Sequence, residues 1–303
     1  MGYNCNATPF LRWAGGKRWL SKKLAPLLSE RLEHNNIYFE PFLGSGAMFF
    51  EINPKNAILS DLNKDLIITF NSVSTRIEDI IHKLRKIQPT ETSYYALRTK
   101  RPRTNTNKAV RFIFLNRNCY GGLYRENKKG RFNVPFGGSD RNHFNICDNG
   151  TLRDASEQLK NNVAIVACDF SETISQACGG DIIYCDPTYR KVNRQSFDRY
   201  GKNIFDWNDQ IRLSKLALEA YNRNALVIIS NASCMGIRRL YPNAAMIELI
   251  RNKGIGPQSN KVNQVEYLFI LDPLENWSDW SKIGNLILPK KRKLTKLRFT
   301  SIA

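Results

Sequence analysis

A chain of 303 residues with 42% hydrophobic and 11% aromatic content can bury one sizeable core, which excludes a disordered or fibrous class. Its 46 Lys and Arg against 27 Asp and Glu leave a formal charge of +19, so a polyanion is the expected partner and a basic protein without such a partner is the alternative. No apolar run approaches the roughly 18 residues of a membrane span. The N-terminal MGYNCNATPF carries no signal-peptide pattern, so no membrane partner and a cytoplasmic location are expected. The seven cysteines (5, 119, 147, 168, 178, 185 and 234) include no CxxC pair and read as reduced, buried thiols, so neither a disulfide framework nor a metal is expected.

In chain order, FLRWAGGKRWL (10–20) first places Trp13 and Lys17 around a flexible Ala-Gly-Gly. YFEPFLGSGAMFF (38–50) then reads as a strand over 37–42, the turn Gly44-Ser45-Gly46 and a helix-like run. Such a turn lets a ligand approach a helix N-terminus in doubly wound folds, and a tight turn without ligand is the competing reading. Phe49 stands where the dinucleotide fingerprint needs a third glycine, which favours a nucleoside-type ligand over a pyrophosphate. A second strand over 57–60 ends at Asp61, beside the same crevice. There a carboxylate can accept both ribose hydroxyls or, alternatively, cap the helix beginning in LNKDLI.

About a hundred residues separate this strand from the next, against roughly 30 for a βαβ unit, so a second, basic lobe is expected between them. It carries LRTKRPRTNTNKAVR (97–111) and NRNCYGGLYRENKKGRFNVPFGG (116–138). Further strands are predicted over 163–168, 181–185, 225–230, 244–250 and 265–271, with a helix over 208–223. Most are apolar without alternation, as strands buried on both faces must be, which argues an open α/β sheet. The C-terminal PKKRKLTKLRF (289–299) reads as a solvated basic tail.

The stretch IIYCDPTY (182–189) delivers an acid, a proline and an aromatic at the end of a buried strand. A carboxylate at Asp186 and the carbonyl of Pro187 can both accept hydrogens from an exocyclic amine while the Tyr189 ring stacks on its heterocycle. Two oriented acceptors pull a delocalised aromatic nitrogen toward a pyramidal, nucleophilic form. An ordinary Asp-Pro turn is the plain alternative.

FLRWAGGK, FEPFLGSG, SDLNKDL, NRNCYGGLYRENKKGRFNVPFG and YCDPTY, in this order, resemble the DNA adenine methylase family of S-adenosylmethionine-dependent N6-adenine methyltransferases. The matches run from about residue 10 to 271. The resemblance implies a seven-stranded, Rossmann-like α/β methyltransferase sheet in a catalytic domain over 1–65 and 160–285. It also implies a mainly helical target-recognition domain with a β-hairpin over 66–159, followed by a basic tail over 286–303. Cofactor contacts carry over to Trp13, Lys17, Glu40, Pro41, Gly44, Gly46, Asp61, Asp169, Phe170 and Asp186, and catalysis to Asp186, Pro187 and Tyr189. DNA contacts carry over to Tyr120 as a wedge in the duplex, to Leu123, Arg125 and Pro135 as readers, and to Arg12 in place of a guanine-touching lysine.

The implied activity is methyl transfer from S-adenosylmethionine to N6 of a flipped adenine in duplex DNA, in a GATC-like site, by a monomer in a bacterial or phage setting. N4-cytosine methylation and a catalytically silent DNA-binding relative are the alternatives. Two departures from the family pattern stand out: Gly121 replaces an asparagine, and Thr188 replaces the second proline of DPPY, which frees Pro187 from a restraint without removing either acceptor.

Overall fold

The computed structural model describes residues 7–13, 15–127, 129–138, 147, 150–188, 205–252 and 263–289. Its centre is a sheet of strands β1 (Tyr38–Glu40), β2 (Asn56–Ser60), β3 (Asn162–Val166), β4 (Ile182–Cys185), β5 (Leu226–Ala232), β6 (Ala245–Asn252), β7 (Asn263–Leu271) and β8 (Asn285–Ile287). Their order is β3-β2-β1-β4-β5-β7-β6-β8. The first five strands are mutually parallel, whereas β7 runs antiparallel to both β5 and β6.

Each of the seven predicted strands forms, but the described sheet has eight, not seven. The addition is the short β8, which pairs antiparallel with β6 at the edge. Three residues, of which Leu286 and Ile287 are half-buried on opposite faces, leave no period for a sequence to display.

Alternate residues of the central strands feed opposite faces, which is why the strand sequences look apolar throughout. Tyr38, Ile182, Tyr184, Leu226 and Ile228 belong to one core, while Phe39, Ile183, Cys185, Val227 and Ile229 belong to the other. β3 departs from that expectation: as a described edge strand it alternates between exposed and half-buried residues.

Helix α1 (Arg18–Arg31) precedes β1, and α2 (Ala47–Ile52) connects β1 to β2. Between β2 and β3 lie α3 (Lys64–Thr75), α4 (Ile77–Arg85), α5 (Glu91–Thr99), α6 (Asn105–Asn118), a single 3-10 turn at Tyr120–Gly122, and α7 (Thr151–Lys160). Their buried residues, among them Phe70, Tyr94, Ile113 and Leu152, join the same hydrophobic cluster as Tyr38 and Tyr184 of the sheet. On the opposite face sit α8 (Phe170–Ile174), α9 (Trp207–Asn222) and α10 (Met235–Leu240), and α11 (Trp277–Ser281) follows β7. The predicted helix over 208–223 corresponds to α9, whose start is fixed by a capping box between Asp206 and Asp209.

The cysteines are less uniform than expected. Cys119 and Cys147 are buried in one hydrophobic cluster and Cys185 in the other, but Cys168 and Cys234 are only half-buried and Cys178 is exposed. The six described cysteines are all free thiols.

Candidate active site and nucleic-acid interface

In a doubly wound sheet the ligand crevice opens beyond the carboxyl ends of the parallel strands, where the strand order reverses. Here β1 has β2 on one side and β4 on the other, so that point lies between β1 and β4. Glu40 ends β1, Asp61 follows β2, and Asp186 follows β4.

The Gly44–Gly46 turn is held open by its geometry. Gly44 and Gly46 have φ of +48° and +66°, a region that favours glycine, and the Gly46 N–H donates to the Leu43 carbonyl at 2.7 Å. A Cβ on Gly44 would stand 2.9 Å from Cδ1 of Trp13, so the Trp13 indole lies directly over the turn. Asp61 ties the turn to β2: its carboxylate accepts from the Gly44 N–H at 3.2 Å and from the Asn63 N–H at 2.9 Å. Burial pushes the Asp61 carboxyl above its usual range, against the pull of those two hydrogen bonds. The capping alternative for α3 goes to a neighbour, since Asn63 accepts from the Leu66 N–H.

Glu40 is buried. Its Oε2 accepts from the Tyr38 hydroxyl at 2.8 Å and from the Phe49 N–H in the first turn of α2 at 3.0 Å. Burial above all, aided by the nearby Asp186 charge, raises its carboxyl to about 8. Pro41, the next residue, is buried beside it.

Lys17 stands at the N-cap of α1 with only 4% of its side chain exposed. Its ammonium lies 3.2 Å from Asp186 Oδ1 and 3.3 Å from Glu266 Oε2, and donates to the Gly15 carbonyl at 3.2 Å. Pro187 is buried and Thr188 exposed. Tyr189 lies outside the described residues.

Asp169 caps α8: it accepts from the Ser171 N–H and hydroxyl and pairs with Arg212 at 2.6 Å. Those bonds outweigh the desolvation that opposes them and hold its carboxyl below the ordinary value. Phe170 is stacked on Phe42 at 5.3 Å, with the Arg212 guanidinium 4.7 Å from its ring centroid.

The residues expected to meet DNA converge on a second surface. The Asn116 side chain clamps the backbone of Arg12, accepting from its N–H at 2.8 Å and donating to its carbonyl at 2.6 Å. Arg12 in turn packs so closely on Gly122 that a Cβ there would lie 2.6 Å from the arginine Cβ. Tyr120 is 62% exposed and Leu123 is 40% exposed. The Tyr120 N–H donates to the Pro135 carbonyl at 3.0 Å, and isolated bridges Cys119–Phe136 and Glu126–Phe132 pair the two arms. Arg125 is exposed and donates from Nε to Asn133 at 2.8 Å.

Three participants have no counterpart in the sequence reading. Glu266 was hidden as one acid in the apolar run VEYLFIL. Because β7 is antiparallel, a residue near its start reaches the same sheet edge as the acids at the ends of β1 and β4. Tyr124 stacks on Trp13 with ring centroids 5.8 Å apart and 20° between planes, which joins the glycine turn to the hairpin. Arg212 approaches Asp169 from α9, 43 positions away, a distance that no local motif reveals.

The donor set suits a cationic nucleoside. Acids at the ends of three strands border the crevice, the two glycines of the turn offer backbone beside the Trp13 indole, and among the described residues the buried Tyr184 hydroxyl near the end of β4 has no hydrogen-bond partner. Among the described residues no group of His, Cys, Asp and Glu is arranged to hold a metal ion, and no helix is long and apolar enough to cross a membrane.

Residues 13–255 match the family described as D12 class N6 adenine-specific DNA methyltransferase. The Type II methyltransferase M1.LlaDCHI of Lactococcus lactis subsp. cremoris is 32% identical over 273 residues, covering 86% of this chain and 94% of the relative. The Type II methyltransferase M.MjaIII of Methanocaldococcus jannaschii is 35% identical over 245 residues, covering 74% of this chain and 84% of the relative. The DNA adenine methylase of Escherichia coli K12 is 30% identical over 273 residues, with the same coverage as the first. A match over most of the chain, together with an acid-lined crevice beside an exposed basic hairpin, establishes that the chain belongs to the D12 class of N6 adenine-specific DNA methyltransferases.

Proposed function

We propose that the protein methylates N6 of an adenine in duplex DNA, at a GATC-like site, with S-adenosylmethionine as methyl donor and as a monomer. The observation that carries this reading is the meeting of Trp13, the Gly44–Gly46 turn, Asp61, Lys17 and Asp186 at one sheet edge. In this reading 1–65 with 160–285 forms the catalytic domain, 66–159 reads the target, and 286–303 is a basic tail. The protein acts in the cytoplasm of a bacterium or a phage-infected cell.

S-adenosylmethionine supplies an electrophilic methyl on a sulfonium. The chain's residues do the rest. Asp61 accepts the ribose hydroxyls, while Trp13 and Pro41 line the crevice on either side of the glycine turn. Glu40 braces the crevice by capping α2 rather than by facing the ligand. Asp169 and Phe170 border the base of the cofactor, held there by Arg212. Asp186 and the Pro187 carbonyl accept the two hydrogens of the adenine amine and orient its nitrogen lone pair toward the methyl. Tyr189 stacks on the flipped base. Flipping costs a few kcal/mol, offset by Tyr120 filling the space in the stack. Arg12 and Arg125 present guanidinium forks to guanine edges, and Leu123 and Pro135 contact thymine methyls.

Incubation with S-adenosylmethionine and DNA of known sequence, followed by base-resolved detection of methyl groups, tests the reading. Methyl at adenine N6 within one short motif is expected. Methyl on cytosine N4 points to the other amine, and binding without transfer points to a silent relative.

A further inference from the structure

α1 is fastened to β7 at both ends. At one end Lys17 meets Glu266, and at the other Arg31 pairs with Asp272, which also accepts from the Trp280 indole N–H at 2.8 Å. The two spans match: fourteen residues of helix rise about 21 Å, and the six strand steps from Glu266 to Asp272 cover about 20 Å. Glu266 is fixed further by the sheet register, opposite Ala232 on β5 and Leu249 on β6. The Lys17 ammonium is thus held from the β7 side before it touches Asp186.

That arrangement matters because an ammonium and an amine compete for the same carboxylate. A lysine with 4% of its side chain exposed needs a counter-charge, and Asp186, 23% exposed, is the acid at the mouth of the crevice. If Asp186 alone neutralised Lys17, a full positive charge would draw on the lone pairs that the adenine amine requires. Glu266, 8% exposed and 3.3 Å from the same nitrogen, supplies a second negative charge from the far side. The geometry points to Glu266 as a positioning residue of the methyl-transfer site: it anchors Lys17 so that the ammonium orients Asp186 without neutralising it. This rests on the proposed role of Asp186. Glu266 touches neither base nor methyl donor in this account and acts through Lys17.

The test is single-turnover methyl transfer at saturating S-adenosylmethionine and DNA, with both affinities measured separately. Glu266→Gln keeps the shape and loses the charge. It should lower the single-turnover rate at least about tenfold while leaving both dissociation constants within about threefold, the split expected of an interaction that matters mainly in the transition state. Because the effect passes through Lys17, Lys17→Gln with Glu266→Gln should be no more than about threefold slower than Lys17→Gln alone, a non-additivity that coupled neighbours show and independent structural damage does not. Glu266→Asp, which keeps the charge on a shorter arm, should fall between wild type and Glu266→Gln. If Glu266→Gln does not fold, the Glu266→Asp rate decides, and a wild-type rate in that variant overturns the inference. So does a Glu266→Gln rate equal to wild type, or rate losses that multiply in the double variant. If wild-type protein transfers no methyl, it is the proposed function that falls.

Discussion

The crevice at the sheet edge and the surface around Tyr120 use their polar groups in opposite ways. In the crevice, Lys17, Glu40 and Asp61 are bonded to neighbouring protein groups, so their positions are set before any ligand arrives. Around Tyr120 it is the backbone that is clamped, by Asn116 on Arg12 and by the Pro135 carbonyl on Tyr120, while the side chains of Tyr120, Leu123, Arg125 and Pro135 remain exposed. A preorganised, carboxylate-lined site suits chemistry, which gains from dipoles that need no rearrangement. Side chains presented to solvent from a rigid backbone suit reading, which needs a partner to complete the bonds. Damage to the crevice should therefore cost rate on every DNA sequence, and damage to the hairpin should cost discrimination.

The hardest blow to that division is Asp186→Ala. It removes a side-chain acceptor for the amine and should lower methyl transfer at least about a hundredfold, as loss of one preorganised polar group does elsewhere. DNA affinity by fluorescence anisotropy should persist. Near-normal turnover would separate Asp186 from the chemistry.

Gly44→Ala probes the cofactor side at smaller cost. The new Cβ would meet Trp13 at 2.9 Å from a backbone with φ +48°. Strain of that kind costs roughly 1–3 kcal/mol of stability, and moving Trp13 or the turn to make room should lower S-adenosylmethionine affinity by calorimetry about tenfold. Unchanged affinity would detach the glycine turn from the cofactor.

Glu40 gives the mildest test, through pH. Its carboxyl is raised from 4.5 to about 8, so the folded protein keeps a proton that the unfolded chain releases. The stability contributed by the neutral form is complete below 4.5 and is lost as pH rises through about 8. Glu40→Gln, which cannot ionise, should therefore gain thermal stability relative to wild type as pH climbs across that window. A constant difference in melting temperature would show that Glu40 does not titrate there.

What the sequence revealed and what it concealed follow from range. The central strands were legible because burial on both faces leaves unbroken apolar runs, and the glycine turn because positive φ selects glycine. β3 showed the same apolar run yet lies at the described sheet edge, since neighbours in space leave no mark on a strand's own composition. Lys17 was visible beside the Ala-Gly-Gly of the N-terminal segment, but its bridge to Glu266 was not. That bridge depends on β7 running antiparallel, a fact of topology. Tyr124 carried no mark in the sequence, because its stack on Trp13 spans more than a hundred positions. The target-reading residues came only through resemblance, and the structure adds that Arg12, from the N-terminal segment, is brought against Gly122 of the hairpin.

The division between reaction and reading is tested most directly by measuring methylation of GATC and its single-base variants with wild type, Arg125→Ala and Arg101→Ala. If Arg125 forks onto a guanine edge, its loss should cost about 1–3 kcal/mol and narrow the ratio between GATC and variants at one position only. Arg101→Ala, in the exposed basic stretch before α6, should lower methylation of all sequences alike and leave every ratio intact, as loss of a phosphate contact does. An equal loss on every sequence for Arg125→Ala would contradict the account.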